Sequence, residues 1–414
     1  MHCKRRFRFS SSPFHGIDKP RQLVALVLIP FVLAPTIALV GMAQMPNPAS
    51  PIGIRPTDPL ADSAYSCING TKSLSPTVAR VAFVRPTFTL TPYANFRHSF
   101  YAFYIKYSHA EGPITTDLNW LRTPVMSNWS SPVVNDEKPL YSFLTSQVAS
   151  RCGLVMGLNL MVIDDVLVHD GGLFVGNTRQ YDVLILGHEE YVTRAEYDQF
   201  KHFVASGGRI VAMSGNTFWA EVDYSKSTHI ETFMAGHGFV FNGVYALRSN
   251  FEPFDKESMG WFGSAFALHI PLLQGAILNG TGQIGQAMKK LYHGELAFTH
   301  YGYPHNEVNY VGNFTNTQII AAFYLAPSTK GFAHFTMPYL PVDSYAHKYV
   351  KGEVICLCVF GENLISHDQE AQFFLVYSAI HGYGAPPARY LTLTSPPYWS
   401  PPTTPEGGWR PPHP

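Results

Sequence analysis

Short apolar runs and one amphipathic stretch alternate in the middle of the chain. Residues 181–186 (YDVLIL) and 209–213 (RIVAM) have the apolar character of buried strands, and residues 81–84 (VAFV) are a third strand candidate. Between the first two, Tyr197, Phe200 and Val204 recur at helical spacing. A strand, a helix and a second strand at this spacing predict a βαβ unit in a parallel sheet, and therefore an α/β domain.

The limits of this central helix are marked by residue type. Thr193 is followed three residues later by Glu196, which predicts a capping box at the helix N-terminus. Gly207 and Gly208 predict its C-terminal cap. We therefore expect a helix that begins after Thr193 and ends before the glycine pair.

The second half of the chain is predicted to be richer in strands. Residues within "IIAAFYLA", "GFAHFTMPYL" and 352–366 are strand candidates, and residues 139–149 are a helix candidate before the βαβ unit. After residue 366, an amphipathic helix is predicted with Phe373, Phe374 and Tyr377 inward. We expect this last strand and helix to dock onto the core sheet.

The ends of the chain differ in composition from its middle. A basic segment, 1–22, precedes residues 23–43, which carry no charge and are long enough to span a bilayer. A membrane anchor and a cleaved signal peptide both fit this pattern. Either predicts an exported protein with a linker at 44–79, a folded domain at 80–384 and a Pro-rich disordered tail at 385–414.

Charge and cysteine content narrow the picture further. The chain has 29 Lys+Arg and 29 Asp+Glu, so nothing indicates a nucleic-acid-binding surface. Cys67 and Cys152 can form a disulfide after export, whereas Cys356 and Cys358 are expected to pack in an apolar strand as small hydrophobic residues. The oligomeric state is not decided, and a homo-oligomer is an open alternative.

Polar residues follow two neighbouring strands of the predicted sheet. His188, Glu189 and Glu190 leave the first strand, and Ser214 to Asn216 leave the second. Ligands of open α/β sheets bind at the carboxyl ends of parallel strands, so a site is expected there. No G-x-S-x-G, P-loop or HExxH motif is present. On spacing alone, His188 and Glu190 fit a metal or catalytic site, or a solvated turn with a helix-capping carboxylate.

A family resemblance bears on this choice. The stretch 181–222 resembles the C-terminal region of the N,N-dimethylformamidase large subunit, which reads strand, G-H-D-E-Y-W, helix, G-G, strand, S-G-N-x-x-W. The matching positions are Gly187, His188, Glu190, Tyr191, Gly207, Gly208, Ser214, Gly215, Asn216 and Trp219. Glu189 replaces the family's Asp and Val192 its Trp. Upstream, "TFTLTPYANF" resembles the family's "TYQAYNNW", with Tyr93 at its central tyrosine.

The resemblance implies a metal site. In this family two tyrosines and a glutamate hold one iron ion, and a histidine and a second glutamate assist hydrolysis of a small amide. By motif, Glu190 and Tyr93 are iron ligands and His188 is the assisting group. Tyr141 is the first choice for the second tyrosine and Tyr101 the second. Glu307, in the polar segment "YPHNEVNY", is chosen as the assisting carboxylate.

These expectations combine into one hypothesis. The domain would be a three-layer α/β sandwich with a mainly parallel sheet, resembling class I glutamine amidotransferases and flavodoxin-like folds, with a β-rich insertion in its second half. It would hydrolyse a linear amide with bound Fe³⁺, on the outer side of a membrane or secreted. The alternative is a non-catalytic surface or envelope protein that uses such a domain to bind a ligand or partner. A third alternative is a glycan-processing domain.

Overall fold

The computed structural model describes the folded part of the chain with several gaps. It describes residues 59–94, 98–107, 114–126, 137–236, 239–241, 246–247, 255–271, 277–278, 282–292, 305–311, 316–324, 341–359, 361–366 and 368–380. Within these segments no helix is long and apolar enough to cross a membrane. The basic N-terminus, the apolar segment 23–43 and the tail 385–414 lie outside the described residues.

The described residues form helices and strands in alternation. The helices are α1 (Pro59–Ile68), α2 (Thr87–Ala94), α3 (Phe100–Tyr107), α4 (Lys138–Leu144), α5 (Gln147–Arg151), α6 (Asp165–His169), α7 (Arg194–Ala205), α8 (Asp255–Trp261), α9 (Gly282–Tyr292), α10 (Gly361–Leu364) and α11 (Gln369–Ile380), with a 3₁₀ helix at Leu118–Leu121. The strands are β1 (Val81–Arg85), β2 (Arg122–Pro124), β3 (Leu160–Asp164), β4 (Phe174–Val175), β5 (Thr178–Arg179), β6 (Val183–Leu186), β7 (Tyr191–Thr193), β8 (Arg209–Ala212), β9 (Ala220–Ser225), β10 (Ile230–Gly236), β11 (Phe239–Phe241), β12 (Ala246–Leu247), β13 (Ser264–Pro271), β14 (Ile277–Leu278), β15 (His305–Val311), β16 (Thr317–Tyr324), β17 (Pro341–Tyr349) and β18 (Gly352–Leu357).

Parallel strands form one half of the main sheet. They lie in the order β3, β1, β6, β8, β18, and each neighbouring pair is parallel. Numbered along the chain, this spatial order is 2-1-3-4-5, which places the first and third strands side by side. The predicted βαβ unit, β6–α7–β8, and the predicted docking of the last strand, β18, are both confirmed.

The parallel strands are buried on both faces. On one face Phe83 and Ile185 pack with α1, α4, α5, α9 and α11. On the other face Val84 and Leu186 pack with α6 and α7. Because successive strand residues point to opposite faces, a strand covered by helices on both sides must be apolar throughout, as β6 is. The mixed α/β class predicted from the sequence is therefore confirmed.

The capping box of α7 forms as the sequence predicted. The Thr193 side chain accepts a hydrogen bond from the backbone N–H of Glu196, and the Glu196 side chain accepts one from that of Thr193. At the other end Gly207 has a φ of 105°, a left-handed conformation that glycine adopts without steric cost. The helix therefore begins and ends at residue types that favour the N-terminal and C-terminal cap positions.

The second half of the chain extends the sheet with antiparallel strands. β17 pairs with β18, and β15, β16 and β13 continue from it. A separate sheet contains β12, β11, β10, β9 and β7 in that order, with β2 on β10. The β-rich character expected of the second half is present, and β7 of the second sheet is the strand that follows β6 in the chain.

One sequence expectation is corrected by the structure, and another is extended. Residues 59–68, predicted to belong to a linker, form helix α1, whose Ala61, Ala64 and Cys67 are buried in the core. Its small apolar residues at helical spacing are masked in the sequence by the Pro- and Ser-rich flanks. Cys356 and Cys358 pack in the core as small hydrophobic residues, as expected, and the structure also bonds them to each other.

The other disulfide, Cys67–Cys152, joins α1 to the residue that follows α5, with a sequence separation of 85 residues. In the chain-entropy model a crosslink closing a loop of this length stabilises by about 4–5 kcal/mol. We expect the Cys67→Ala/Cys152→Ala double variant to lose a free energy of unfolding of this size in urea denaturation.

Cys356→Ala/Cys358→Ala is the matched control. All four cysteines are fully buried, so the cavities left by the substitutions are alike, but this second bond spans a sequence separation of 2. Its entropic contribution should be well below the roughly 3 kcal/mol of a 15-residue loop. Equal losses in the two double variants would show that loop closure does not stabilise the domain.

Candidate functional site

The candidate site lies where the first and third parallel strands run side by side. β1 and β6 are in register from Val81 opposite Val183 to Val84 opposite Leu186. The chain after β1 continues towards helices packed on one face of the sheet, and the chain after β6 continues into α7 on the other face. Ligands in such sheets bind at the crevice between two strands whose connections diverge in this way.

A tyrosine and a glutamate meet across this crevice. Tyr93, on α2 after β1, donates its hydroxyl hydrogen to Oε2 of Glu190, which follows β6. Glu190 is fully buried. Burial, and then the negative charge of Glu190, raise the pKa of Tyr93 well above its usual value. The phenol therefore keeps its proton and directs it at the carboxylate.

His188 links this pair to a second glutamate. Its Nε2 lies 3.0 Å from Glu190 Oε2, and its Nδ1 lies 3.6 Å from Oε1 of Glu362. Asn216, which follows β8, places its Nδ2 3.4 Å from His188 Nε2. His188 is 6% exposed and Glu362 is fully buried. The imidazole is thus held in a defined orientation between two carboxylates.

Glu362 reaches His188 from the end of the last parallel strand. It lies on α10, directly after β18, and its backbone N–H bonds to the carbonyl of Met213 at the end of β8. The site therefore collects residues from the carboxyl ends of β1, β6, β8 and β18, which are all at one edge of the sheet because the strands are parallel.

A further buried glutamate fixes the turn that carries His188. Glu137, at the start of α4, accepts a hydrogen bond from the backbone N–H of His188 through Oε1. A Cβ on Gly187 would overlap the Glu137 carboxylate. Glycine at 187 therefore permits the close approach that holds the turn.

The structure brings some predicted site residues together and not others. Tyr101 stacks on Tyr93 with 4.3 Å between ring centroids. Tyr141 lies on α4, 37% exposed, with its ring centroid 6.4 Å from that of Phe83. Glu307 lies on β15 opposite His269, and its side chain lies outside the described part of the chain. Of the two candidate second tyrosines, Tyr101 is the one in contact with Tyr93.

Glu137 and Glu362 were missed from the sequence, although one of them carried a signal. Glu362 follows a strand that the sequence predicted to dock on the core sheet, so the strand-end rule used for His188 applied to it as well. Glu137 precedes a helix and gave no such signal, since only the fold brings it to residue 188.

Residues 61–239 match the family model described as N,N-dimethylformamidase beta subunit-like, C-terminal. The match supports, over this segment, the family resemblance expected from the sequence. It contains His188, Glu190, Tyr93 and both candidate second tyrosines, whereas Glu307 and Glu362 lie beyond it. No curated protein matches the chain.

Solved structures resemble the chain only distantly. The β-galactosidase of Halorubrum lacusprofundi matches with a TM-score of 0.36 at 11% identity, over 74% of this chain and 31% of its own. A β-galactosidase of Bacillus circulans gives 0.34 at 12%, over 72% and 30%. A putative ThuA-like protein of Bacteroides uniformis gives 0.30 at 14%, over 57% and 80%. The chain spans less than a third of the length of these two β-galactosidases, and TM-scores this low define no shared fold.

The contact between Glu137 and the His188 backbone can be tested by stability. Glu137→Ala leaves a buried N–H without its acceptor, which costs about 1–3 kcal/mol. We expect that loss in urea denaturation, and a smaller one in Glu137→Gln, which keeps an acceptor oxygen. If both variants unfold like the parent protein, the hydrogen bond does not hold the turn.

Proposed function

We propose that the chain is an iron-dependent hydrolase of a small linear amide. The observation that carries the proposal is the contact of Tyr93 with Glu190 across the crevice between β1 and β6. Both residues lie in the segment that matches the dimethylformamidase-like family. Amide hydrolysis adds water to the carbonyl carbon and releases a carboxylic acid and an amine.

The donor set fits a ferric ion. A phenolate and a carboxylate are hard anionic oxygen ligands, which suit Fe³⁺ better than soft metals. Both bind metal in the deprotonated form, so the shared proton between Tyr93 and Glu190 marks a place where a cation can replace a proton. Bound iron would supply Lewis-acid polarisation of the amide carbonyl or of a water molecule.

Tyr101 is the better candidate for the second phenolate. Its ring stacks directly on that of Tyr93. Tyr141, the first choice from the sequence, is partly exposed and packs by Phe83. Tyr101 reaches the site because α3 packs against α2.

His188 would move the proton that hydrolysis requires. It takes a proton from the attacking water and delivers it to the leaving amine, which would otherwise depart as an unstable anion. Glu362, near Nδ1, holds the ring in place. Asn216 limits rotation of the ring from the other side.

The finer architecture and location belong to the same proposal. The 2-1-3-4-5 strand order, with helices on both faces, supports a flavodoxin-like sandwich of the class I glutamine amidotransferase type. The Cys67–Cys152 bond supports export, since disulfides persist in oxidising compartments. We accordingly propose an extracytoplasmic domain, either anchored or released by cleavage at residues 23–43.

Iron content tests the ligand set. We expect the purified protein to bind one iron with the visible absorption of a ferric phenolate, and Tyr93→Phe and Glu190→Gln to lose the iron. Tyr101→Phe should weaken the absorption, because one of the two phenolate ligands is removed, whereas Tyr141→Phe should keep it, because Tyr101 and not Tyr141 contacts Tyr93. Tyr349→Phe, on a strand of the antiparallel half, serves as a control that retains iron.

Hydrolysis of N,N-dialkylformamides, followed by release of the amine, completes the test. An iron-free protein that folds normally and releases no amine would contradict the proposal. It would favour instead a surface protein that binds a ligand without transforming it.

The identity of the carboxylate that assists His188 gives a separate prediction. His188→Ala should lower kcat by about 10²–10⁴-fold, the usual contribution of general acid–base catalysis. Glu362→Gln should lower it by about 10–100-fold while iron stays bound, as for other groups that orient a catalytic side chain. Glu307→Gln is the matched comparison, and a larger effect there than at Glu362 would show that residue 307 is the partner.

A further inference from the structure

A second group of buried carboxylates lies beside the candidate active site. Asp165 is the first residue of α6, Glu189 follows β6 and Glu196 lies in the first turn of α7. One carboxylate oxygen from each residue lies within 4.8 Å of those of the other two. All three residues are fully buried. None of them contributes to the contacts of Tyr93, Glu190 and His188 described above.

A fourth carboxylate comes from the second sheet. Glu231, on β10, is fully buried and lies directly between Thr123 on β2 and Tyr224 on β9. Directly paired residues in antiparallel strands place their side chains on one face of the sheet. The Tyr224 ring packs on the rings of Phe88 and of His169 on α6, with ring centroids 5.2 Å and 5.4 Å apart, respectively. Glu231 therefore points towards α6.

The Glu231 carboxyl group is also close enough to Asp165 to interact with it electrostatically. Burial, and then the charge of Asp165, raise the pKa of Glu231 well above its usual value. The backbone N–H of Phe88, whose ring contacts Tyr224, donates a hydrogen bond to Asp165 Oδ2 at 2.7 Å. Glu231 thus faces the group of Asp165, Glu189 and Glu196 from the second sheet.

Many oxygens in this region receive no hydrogen bond from an N–H or hydroxyl donor among the described residues. They are Asp165 Oδ1, both oxygens of Glu189, Glu196 Oε1, both oxygens of Glu231 and Thr123 Oγ1. Asp165 lies close enough to Glu189 and Glu196 for these carboxyl groups to share protons. Shared protons leave Glu231 without a partner, and an unpaired buried carboxylate is unfavourable.

The surroundings offer little positive charge in compensation. Arg85 lowers the pKa of Asp165, but its guanidinium is bonded to Asp164. Burial outweighs it and raises the pKa of Asp165 to about 8. Among the described residues, none of the four carboxylates forms a salt bridge.

We propose that Asp165, Glu189, Glu196 and Glu231 bind a calcium ion that joins the second sheet to helices α6 and α7. Carboxylate and hydroxyl oxygens are hard donors, and the seven oxygens above match the 6–8 ligands that Ca²⁺ takes in flexible geometry. Mg²⁺ is disfavoured because it keeps several of its waters, which a fully buried group of side chains does not admit.

The calcium site differs in chemistry from the proposed iron centre. It contains no phenol or imidazole donor, and its ligands come from α6, α7 and β10 besides the turn after β6. Glu189 and Glu190 are neighbours in sequence and contribute to different groups. The two sites share no side chain, and each can therefore be tested with the ligands of the other intact.

Glu231→Gln is the decisive variant. Without calcium, an uncharged amide in place of a repelled carboxylate leaves stability unchanged or increases it. With calcium, the same substitution removes a ligand and weakens binding by about ten-fold or more, because the affinity of such sites follows the number of charged ligands. The effect of Glu231→Gln on stability thus changes with the presence of calcium, which a simple folding defect would not cause.

The experiment uses the purified full chain, stripped with EDTA and then titrated with CaCl₂. We expect one Ca²⁺ per chain by elemental analysis after dialysis, and a melting temperature that rises with Ca²⁺. Glu231→Gln should melt no lower than the parent protein in EDTA and should gain much less from Ca²⁺. Glu362→Gln, an equally buried carboxylate of the other group, should keep the full calcium response.

Two results would overturn the proposal. The first is a parent protein that retains no Ca²⁺ and melts at the same temperature in EDTA and in CaCl₂. The second is a calcium response that is equal in the parent protein and in Glu231→Gln. Either would leave the four carboxyl groups as a proton-sharing cluster. Normal iron content in samples of the same proteins that were never exposed to EDTA would show that the proposed function is unaffected.

Discussion

The parallel pairing of β1 with β6 is the constraint on which the rest of the structure depends. Parallel neighbours end at the same edge, so the residues after each strand are brought together although they are about a hundred positions apart in the chain. Tyr93 and Glu190 meet for this reason alone. The burial of both sheet faces fixes the pairing register, since a shift by one residue would exchange the side chains that pack against the helices of each face.

The same edge concentrates buried negative charge. Glu137, Glu189, Glu190, Glu196 and Glu362 are all fully buried near strand ends or helix starts. Burial of carboxylates is tolerated where backbone N–H groups, protons or cations neutralise them. Glu137 has the His188 N–H and Glu190 has the Tyr93 hydroxyl. Where such donors are missing among the described residues, as around Glu231, a proton or a cation is the remaining means of compensation.

Local sequence rules predicted a substantial part of the domain. The strand, capped helix and strand of β6–α7–β8 follow from apolar periodicity and from Thr193, Glu196 and Gly207, whose effects act within one turn of the chain. The strand-end rule then located His188 and Glu190 at one edge of the sheet. These features were predictable because each depends on neighbouring residues, or on the general geometry of parallel strands.

The remaining features depend on contacts between distant segments. The polar flanks of helix α1 make it look like a linker in the sequence. Only its packing in the core and the bond from Cys67 to Cys152 show that it belongs to the folded domain. Tyr101 and Tyr141 are both plausible ligands in the sequence, and only the packing of α3 on α2 separates them. Glu231 gives no signal at all, because a single acidic residue in a strand is usually exposed. Pairings of this kind are decided by tertiary structure.

One backbone segment serves both groups of carboxylates. The carbonyls of Glu189 and Glu190 accept hydrogen bonds from the backbone N–H groups of Phe218 and Ala220, which hold the segment against β9 before β7 begins. The two side chains consequently take fixed directions, one towards Asp165 and Glu196 and the other towards Tyr93 and His188. An ion that orders Glu189 therefore also orders the backbone of Glu190. Calcium binding on one side would in this way hold an iron ligand in place on the other, with no side chain common to the two sites.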